Sequence, residues 1–551
     1  MKRTSLLKWA LLGLFLFSTA ASAFATAARQ PAAGGRSTLQ IGIQQNAFVI
    51  DYKNNYLTRY LENLHGVDLT FLQLPTDNGE SRTRIALMAA SNDLPETLWG
   101  GGLTREGILD YGSNRALIAL NSYFNDASKT PNFNRIPQAD RAVMLRDTRS
   151  ADGNNYSFAR YQPETWNITA HRYYINRSWL QRLGLQEPKT TDELRSVLIA
   201  FRDRDPNGNG RQDEIGIFGW FGGGYGENVI TPLINSFIYY NGTLALDTSG
   251  NNVISPVVQP AFRTALQYLN TLFRDRVLEA STFTVDQQGF RALINADPMI
   301  VGLTSMGSVG NFPGTPSADF NPNYAAMAPI MAPLSSPISP GYTPFSEYYA
   351  EQISFITNKA RDVDLAVKIM DSFYEPTLSI IGRFGEENVD WTRDPAILAT
   401  DTNAYIALGL YPSLYMTQIR DVWTGPFAQH WQNINPRYTP LDIGNRIGNL
   451  QTPYNPTLHS SAQNAVNYQL LIPRRPQYLL PQLYYSAEDG AALAQPITLI
   501  NEYIRQSIAE FTVGTRDINN DAQWNAYTRE LDNMGLQNWI RIAQATYNRQ
   551  R

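Results

Sequence analysis

Residues 203–216, DRDPNGNGRQDEIG, place acidic and amide oxygens at alternate positions around Gly208 and Gly210. Short oxygen-bearing side chains alternating through a glycine-containing turn suit a loop that wraps a hard cation. Two registers fit. In the first, Asp203, Asp205 and Asn207 supply oxygens, Gly208 makes the sharp turn and Glu214 stands at the twelfth position. In the second, Asp205, Asn207, Asn209 and the Arg211 carbonyl supply them, Gly210 makes the turn, and Asp213 with Glu214 closes the loop. Many flexible oxygen ligands and no soft donors favour Ca2+ over Mg2+ or a transition metal. The competing account is a solvated turn, which Asp and Asn also stabilise without metal. With one such loop and no helix expected after it, a structural ion is expected, not a calcium sensor.

The chain around this loop has 551 residues, 43% hydrophobic and 17% charged, which implies a folded protein of several domains. Aromatics make up 12%, with 30 Tyr and 10 Trp, side chains that join a flat apolar face to a polar handle. Residues 1–23 are expected to be a signal peptide: Lys2 and Arg3 precede an apolar run to Phe17, and Ala21-Ser22-Ala23 offers a cleavage site. Removing them takes three of the 45 basic residues and leaves 42 against 49 acidic, a formal charge of −7. A mildly acidic chain has no general affinity for nucleic acid or anionic lipid. There is no cysteine, hence no disulfide and no thiol for a lipid anchor. A free, soluble monomer outside the inner membrane is the expectation.

LQIGIQQNAFVID, YLTRYLENLHG and VDLTFLQL form a strand–helix–strand opening, the start of an α/β domain. Helices are expected in SRTRIALMAA and SWLQRLGL, and after Thr190 and Glu193, which form a capping box ahead of Leu194, Val197, Leu198 and Phe201 on one face. EQISFITNK is expected as a strand, DVDLAVKIMDSFY as a helix, and PITLINEYIRQSIAEFTVG and DAQWNAYTRELDNMG as the closing helices.

Several of these stretches resemble the extracellular solute-binding proteins of ABC importers, in particular the long, sugar-binding kind that includes alginate-oligosaccharide binders. They are AASNDLPETLWGG, DGNNYSFAR, the run from Tyr173 through the acidic loop to Ile217, FGEENVDW, FTVGTRDI and WNAYTRELDNMGL. Glu96 and Asn388 depart from the usual Asp and Gly of that pattern. The resemblance implies an α/β, two-lobe periplasmic-binding-protein fold, a hinged trap of type II, with a structural calcium loop. The implied lobes are 36–168 with 352–390, and 169–351 with 391–551. It also selects the second register: Asp205, Asn207, Asn209, Arg211, Asp213 and Glu214. The implied partners are an oligosaccharide, with acidic and plant- or algal-derived sugars among the options, and the transmembrane subunits of an ABC permease.

A sugar site needs aromatic faces for the rings and planar polar groups for the hydroxyls. Trp99 leads into a glycine-rich loop at a strand end, where open α/β sheets bind ligands. Arg160 and Tyr161 stand just before the expected first crossing at His171, with Trp166 in the same stretch. Arg160 there suits a uronate carboxylate or a hydroxyl pair. Trp220 and Tyr225 follow the acidic loop. Glu347, Tyr348 and Tyr349 precede the second crossing, and Trp391 ends the FGEENVDW motif. Trp179, Trp524 and Tyr527 have helical spacing and are expected in the core. The competing class is a secreted glycoside hydrolase or lyase, which needs paired carboxylates across the scissile bond. His65, His171, His430 and His459 show no zinc spacing. The expectation is therefore a binding protein without catalytic residues.

Overall fold

Two separate sheets divide the work of the chain. In the computed structural model, residues 36–162, 168–223, 225–307, 324–326, 341–344, 350–394, 414–416, 426–439, 447–449 and 468–551 are described. The first sheet has the order β14-β4-β11-β3-β1-β2. Its strands are β1 (Ser37–Gln44), β2 (Val67–Leu74), β3 (Thr97–Trp99), β4 (Ser157–Tyr161), β11 (Glu351–Ile356) and β14 (Arg437–Tyr438). β1 and β3 run parallel, whereas β11 lies antiparallel between β3 and β4. The second sheet has the order β10-β5-β9-β6, from β5 (Tyr173–Asn176), β6 (Ile215–Ile217), β9 (Val301–Ser305) and β10 (Tyr324–Ala326). A short hairpin of β7 (Ala245–Leu246) and β8 (Val253–Ile254), and a small sheet of β12 (Trp391–Thr392), β13 (Leu414–Met416) and β15 (Ile447–Asn449), complete the strands described.

Local chemistry explains the elements. Helix Tyr56–His65 is capped by the Asn55 side chain, which accepts from the Leu57 amide, and stops at Gly66, where φ is 64°. Glycine reaches that left-handed conformation without a Cβ penalty. Helix Thr191–Asp203 begins where Thr190 Oγ1 accepts from the Glu193 amide, and Leu194, Val197, Leu198 and Phe201 are all buried. Each fully buried side chain of this size contributes roughly 1.5–3 kcal/mol. Trp179, Trp524 and Tyr527 are also buried, as their spacing predicts.

Each sheet carries its own core. The first gathers Ile41, Leu57, Leu69, Phe158 and Met370 around Trp431. The Trp431 ring meets Trp99 at 5.4 Å, Phe71 at 5.5 Å and Phe373 at 6.1 Å, and its Nε1 donates to Thr58 Oγ1 at 3.1 Å. The second gathers Leu198, Leu266, Ile504, Phe511 and Ile542. Helices Ala487–Val513, Asp521–Asn533 and Leu536–Gln550 pack into it.

Ile168, Tyr342 and Leu471 pack with Tyr239 and Ala245 in a small cluster whose chain neighbours Ile238 and Leu246 belong to the second core, so the chain passes between the two sides three times: between Tyr161 and Ile168, between Tyr342 and Ala350, and between Tyr438 and Leu471. This corrects the expected second-lobe segment 391–551. Trp391, Trp431, Ile434 and Tyr438 lie in the first core, and β14 pairs in parallel with β4. Burying three large rings and completing a sheet edge outweighs the sequence signal that placed the return near Trp391.

Candidate functional site

The acidic loop is built as expected from its glycines and carboxylates. Gly208 and Gly210 take φ of 73° and 75°, and Asp205 also adopts a positive φ, 43°. Asp205 accepts from the amides of Gly208, Asn209 and Gly210 at 3.0–3.1 Å. Asn209 Oδ1 accepts from the Arg211 amide at 2.8 Å, and the Asn207 and Asn209 amides donate to Asp213. Asp203 ends the preceding helix and is held by Arg202 at 2.7 Å. Among the described residues no three His, Cys, Asp or Glu side chains by themselves form a metal-holding group. The donor set is instead mixed, with carboxylates, Asn amides and a carbonyl. Glu214 shows what the set lacks: its Oε2 is buried with no hydrogen-bond partner, and burial, with Asp205 and Asp213 close by, raises its carboxyl pKa. A buried anionic oxygen of this kind fits a cation.

The predicted aromatics part company. Trp99 is fully buried, its ring 5.5 Å from Phe373 and its Nε1 bonded to Thr97 Oγ1. It is a core residue, because β3 is three residues long and buried along its whole length. Trp391 is likewise buried, donating to the Gly385 carbonyl under the Arg393 guanidinium. Tyr161 is buried and stacks on Tyr438 at 6.3 Å, so its ring also serves packing. The Arg160 guanidinium is ion-paired with Glu351 and donates to the Asn433 carbonyl. It is not free for a uronate as the sequence reading allowed. Trp166, Glu347, Tyr348 and Tyr349 lie outside the described residues, as does segment 1–35.

Trp220 and Tyr225 keep positions at the edge of the second sheet. Both sit beyond the C-terminal ends of β6 and β9, in a loop clasped to the sheet where the Gly307 amide donates to the Tyr225 carbonyl at 2.7 Å. Trp220 is half-buried against Phe218, Phe290 and Met306. The buried Glu227 carboxylate accepts from the Tyr225 amide, fixing the turn.

A cavity of about 540 Å³ opens between the two cores. The first core supplies Leu103, Thr104, Arg105, Glu106, Ala350, Glu351 and Gln352; the segment leading into helix Ala487–Val513 supplies Gln482. The loop after Trp99, and not the tryptophan itself, reaches this space. Gly100, Gly101 and Gly102 all take positive φ and carry the chain to helix Arg105–Ser113, capped by Thr104. Beside the cavity the Arg105 guanidinium lies 4.4 Å over the Tyr484 ring, joining the two lobes. Arg105 Nη1 and Tyr484 Oη are both buried at this contact, and burial pushes the Tyr484 phenol up to about 12. Sequence reasoning missed Arg105, Glu106, Gln352, Gln482 and Tyr484. The glycine run and Thr104 cap were the available signal for the first two.

No protein-family model matches the sequence. A solved extracellular solute-binding protein from Bifidobacterium longum subsp. infantis superposes with a TM-score of 0.74, at 20% identity, over 94% of this chain and 99% of that one. The chain has the fold of the extracellular solute-binding proteins. In sequence it is 23% identical over 510 residues to the fructooligosaccharide ABC transporter substrate-binding protein FusA of Streptococcus pneumoniae, covering 90% of this chain and 87% of the other. FusA in complex with kestose superposes with a TM-score of 0.67, over 93% of this chain and 99% of FusA. An alginate-binding protein, AlgQ2, solved without calcium ion, superposes at 0.59 over 94% and 98%. Among the described residues no helix is long and apolar enough to cross a membrane.

Proposed function

We propose that the protein is the substrate-binding component of an ABC transporter. It captures an oligosaccharide in the cleft between its lobes and delivers it to the transmembrane subunits of a permease. The observation that carries this reading is a polar cavity drawing residues from both lobes, in a chain similar over nearly its whole length to a fructooligosaccharide-binding component. Sugar hydroxyls need both donors and acceptors. Arg105 donates, Glu106 and Glu351 accept, and Thr104, Gln352 and Gln482 do either. Contacts to both lobes form together only when the lobes are closed. A bound sugar therefore shifts the open–closed equilibrium by the strength of those extra contacts. The similar proteins are binders, which supports capture without catalysis. The reading extends to a periplasmic monomer.

Within this reading the acidic loop holds a structural Ca2+ through Asp205, Asn207, Asn209, the Arg211 carbonyl, Asp213 and Glu214. The ion would neutralise three neighbouring carboxylates, partner the lone Glu214 oxygen and brace the second lobe ahead of Trp220. Titration calorimetry against oligosaccharide pools, with chromatography of the same mixtures, tests the main proposal. Saturable binding with the sugars recovered intact is expected. Shortened products would overturn it in favour of a hydrolase or lyase.

A further inference from the structure

The charges around the interlobe cavity are matched among themselves. Arg160 is ion-paired with Glu351, and Arg146 pairs with Asp147 at 2.8 Å. Asp147 is buried behind the wall, where one carboxylate oxygen accepts from the amide of the cavity-lining Ala350 at 3.2 Å. Arg105 and Glu106 line the cavity side by side. Three guanidinium groups thus stand beside three carboxylates. The remaining polar lining, Thr104, Gln352 and Gln482, is uncharged.

From this arrangement we infer that the cleft selects a neutral oligosaccharide and discriminates against uronic-acid sugars, with the Arg160–Glu351 pair as the selectivity device. The inference rests on the oligosaccharide-capture reading and narrows its substrate class. Neutral hydroxyls suit every group present. Carboxylates accept from them strongly, the cavity-lining Arg105 guanidinium donates, and the glutamines do both. A sugar carboxylate meets the opposite situation. Its best bidentate partner, Arg160, is already held by Glu351 and by the Asn433 carbonyl at 2.6 Å. Taking Arg160 would release Glu351 unpaired beside the incoming anion, a like-charge contact in a partly desolvated space. Arg105 alone would have to match the anion while Glu106 and Glu351 repel it.

The test compares neutral tri- and tetrasaccharides of the fructo-, xylo-, manno- and gluco- series with tri- and tetragalacturonates and -mannuronates, by calorimetry at low ionic strength. At least one neutral sugar is expected to bind, with every uronate weaker by roughly 100-fold or more. Glu351→Gln leaves Arg160 charged without its counter-ion, so the uronate-to-neutral affinity ratio should rise about tenfold. Arg160→Gln should lower that ratio further, giving a second variant of opposite sign should the first fold poorly. Uronates binding as well as neutral sugars, or variants that leave the ratio unmoved, would overturn the inference while leaving oligosaccharide capture standing. Binding of neither class would bring down both.

Discussion

His430 offers a sharp test of how segment 426–439 is held on the first lobe. The imidazole is 2% exposed, and its Nδ1 accepts from the Gln432 amide at 3.1 Å. The His430 carbonyl accepts from the Asn55 side chain, and the next residue is the core tryptophan Trp431. Burial, with Arg383 and Arg437 adding positive charge, pushes the imidazole from the usual 6.5 down to about 4. Protonating Nδ1 would also remove an acceptor that the Gln432 amide needs. In the unfolded chain the same group binds its proton near 6.5. Between about pH 6.5 and 4 the unfolded state therefore holds more protons. The stability due to neutral His430 is fully present above 6.5 and is lost as pH falls towards 4. Two and a half pH units at about 1.4 kcal/mol each give a ceiling of about 3.5 kcal/mol. His430→Asn keeps an acceptor for the amide two residues on, through an Asx turn, but does not titrate. Its smaller side chain should cost about 1–2 kcal/mol at every pH. Urea unfolding followed by tryptophan fluorescence at pH 7, 6, 5 and 4.5 should show wild type losing about 2–3 kcal/mol more than the variant across the series. Parallel pH slopes would refute the reasoning, because His171 and His65, also pushed down to about 4, contribute equally to both proteins.

Other perturbations separate the roles assigned above. Chelation should lower the melting temperature by several degrees, since an ion at 100 times its Kd contributes about 2.7 kcal/mol; no shift would remove calcium from the acidic loop. Glu214→Gln should destabilise the calcium-loaded protein yet stabilise the chelated one, where the buried charge is otherwise uncompensated, and melting with and without calcium reads both signs. Trp99→Ala should cost about 3–5 kcal/mol in denaturant titrations while leaving sugar affinity in the folded protein within a few-fold. Gly226→Ala should destabilise strongly, because φ is +85° and the added Cβ would run into the Ala170 carbonyl; a melting curve like wild type's would refute that.

The elements with strong local signals were legible in the sequence. The Asn55 cap and Gly66 stop framed the first helix, and the amphipathic face from Leu194 to Phe201 located the second core. The acidic loop's turn was legible because its glycines and oxygens act within a dozen residues. What failed depended on distant partners. Whether Trp99 faces a cleft or a core is decided by Trp431 and Phe373, more than 250 residues away in sequence. Arg160 reads as free until Glu351 appears opposite it in the neighbouring strand. Arg105 and Tyr484 meet only because two lobes fold against each other, and neither has a local pattern that marks the encounter.

The threefold passage between lobes also dictates when either lobe can form. The first core needs Trp431 and Tyr438 to fill its centre and sheet edge, and the second needs Ile542 and Tyr547 from the closing helix. A chain emerging from its N-terminus can close its early strand–helix–strand units, but neither hydrophobic centre is complete until most of the polypeptide is available. Loop-closure entropy must be met before these late contacts repay it. Folding should therefore be slow and largely concerted. A nascent or truncated chain ending before residue 426 would expose two unfinished apolar surfaces at once, which makes association with chaperones or with other copies its default fate.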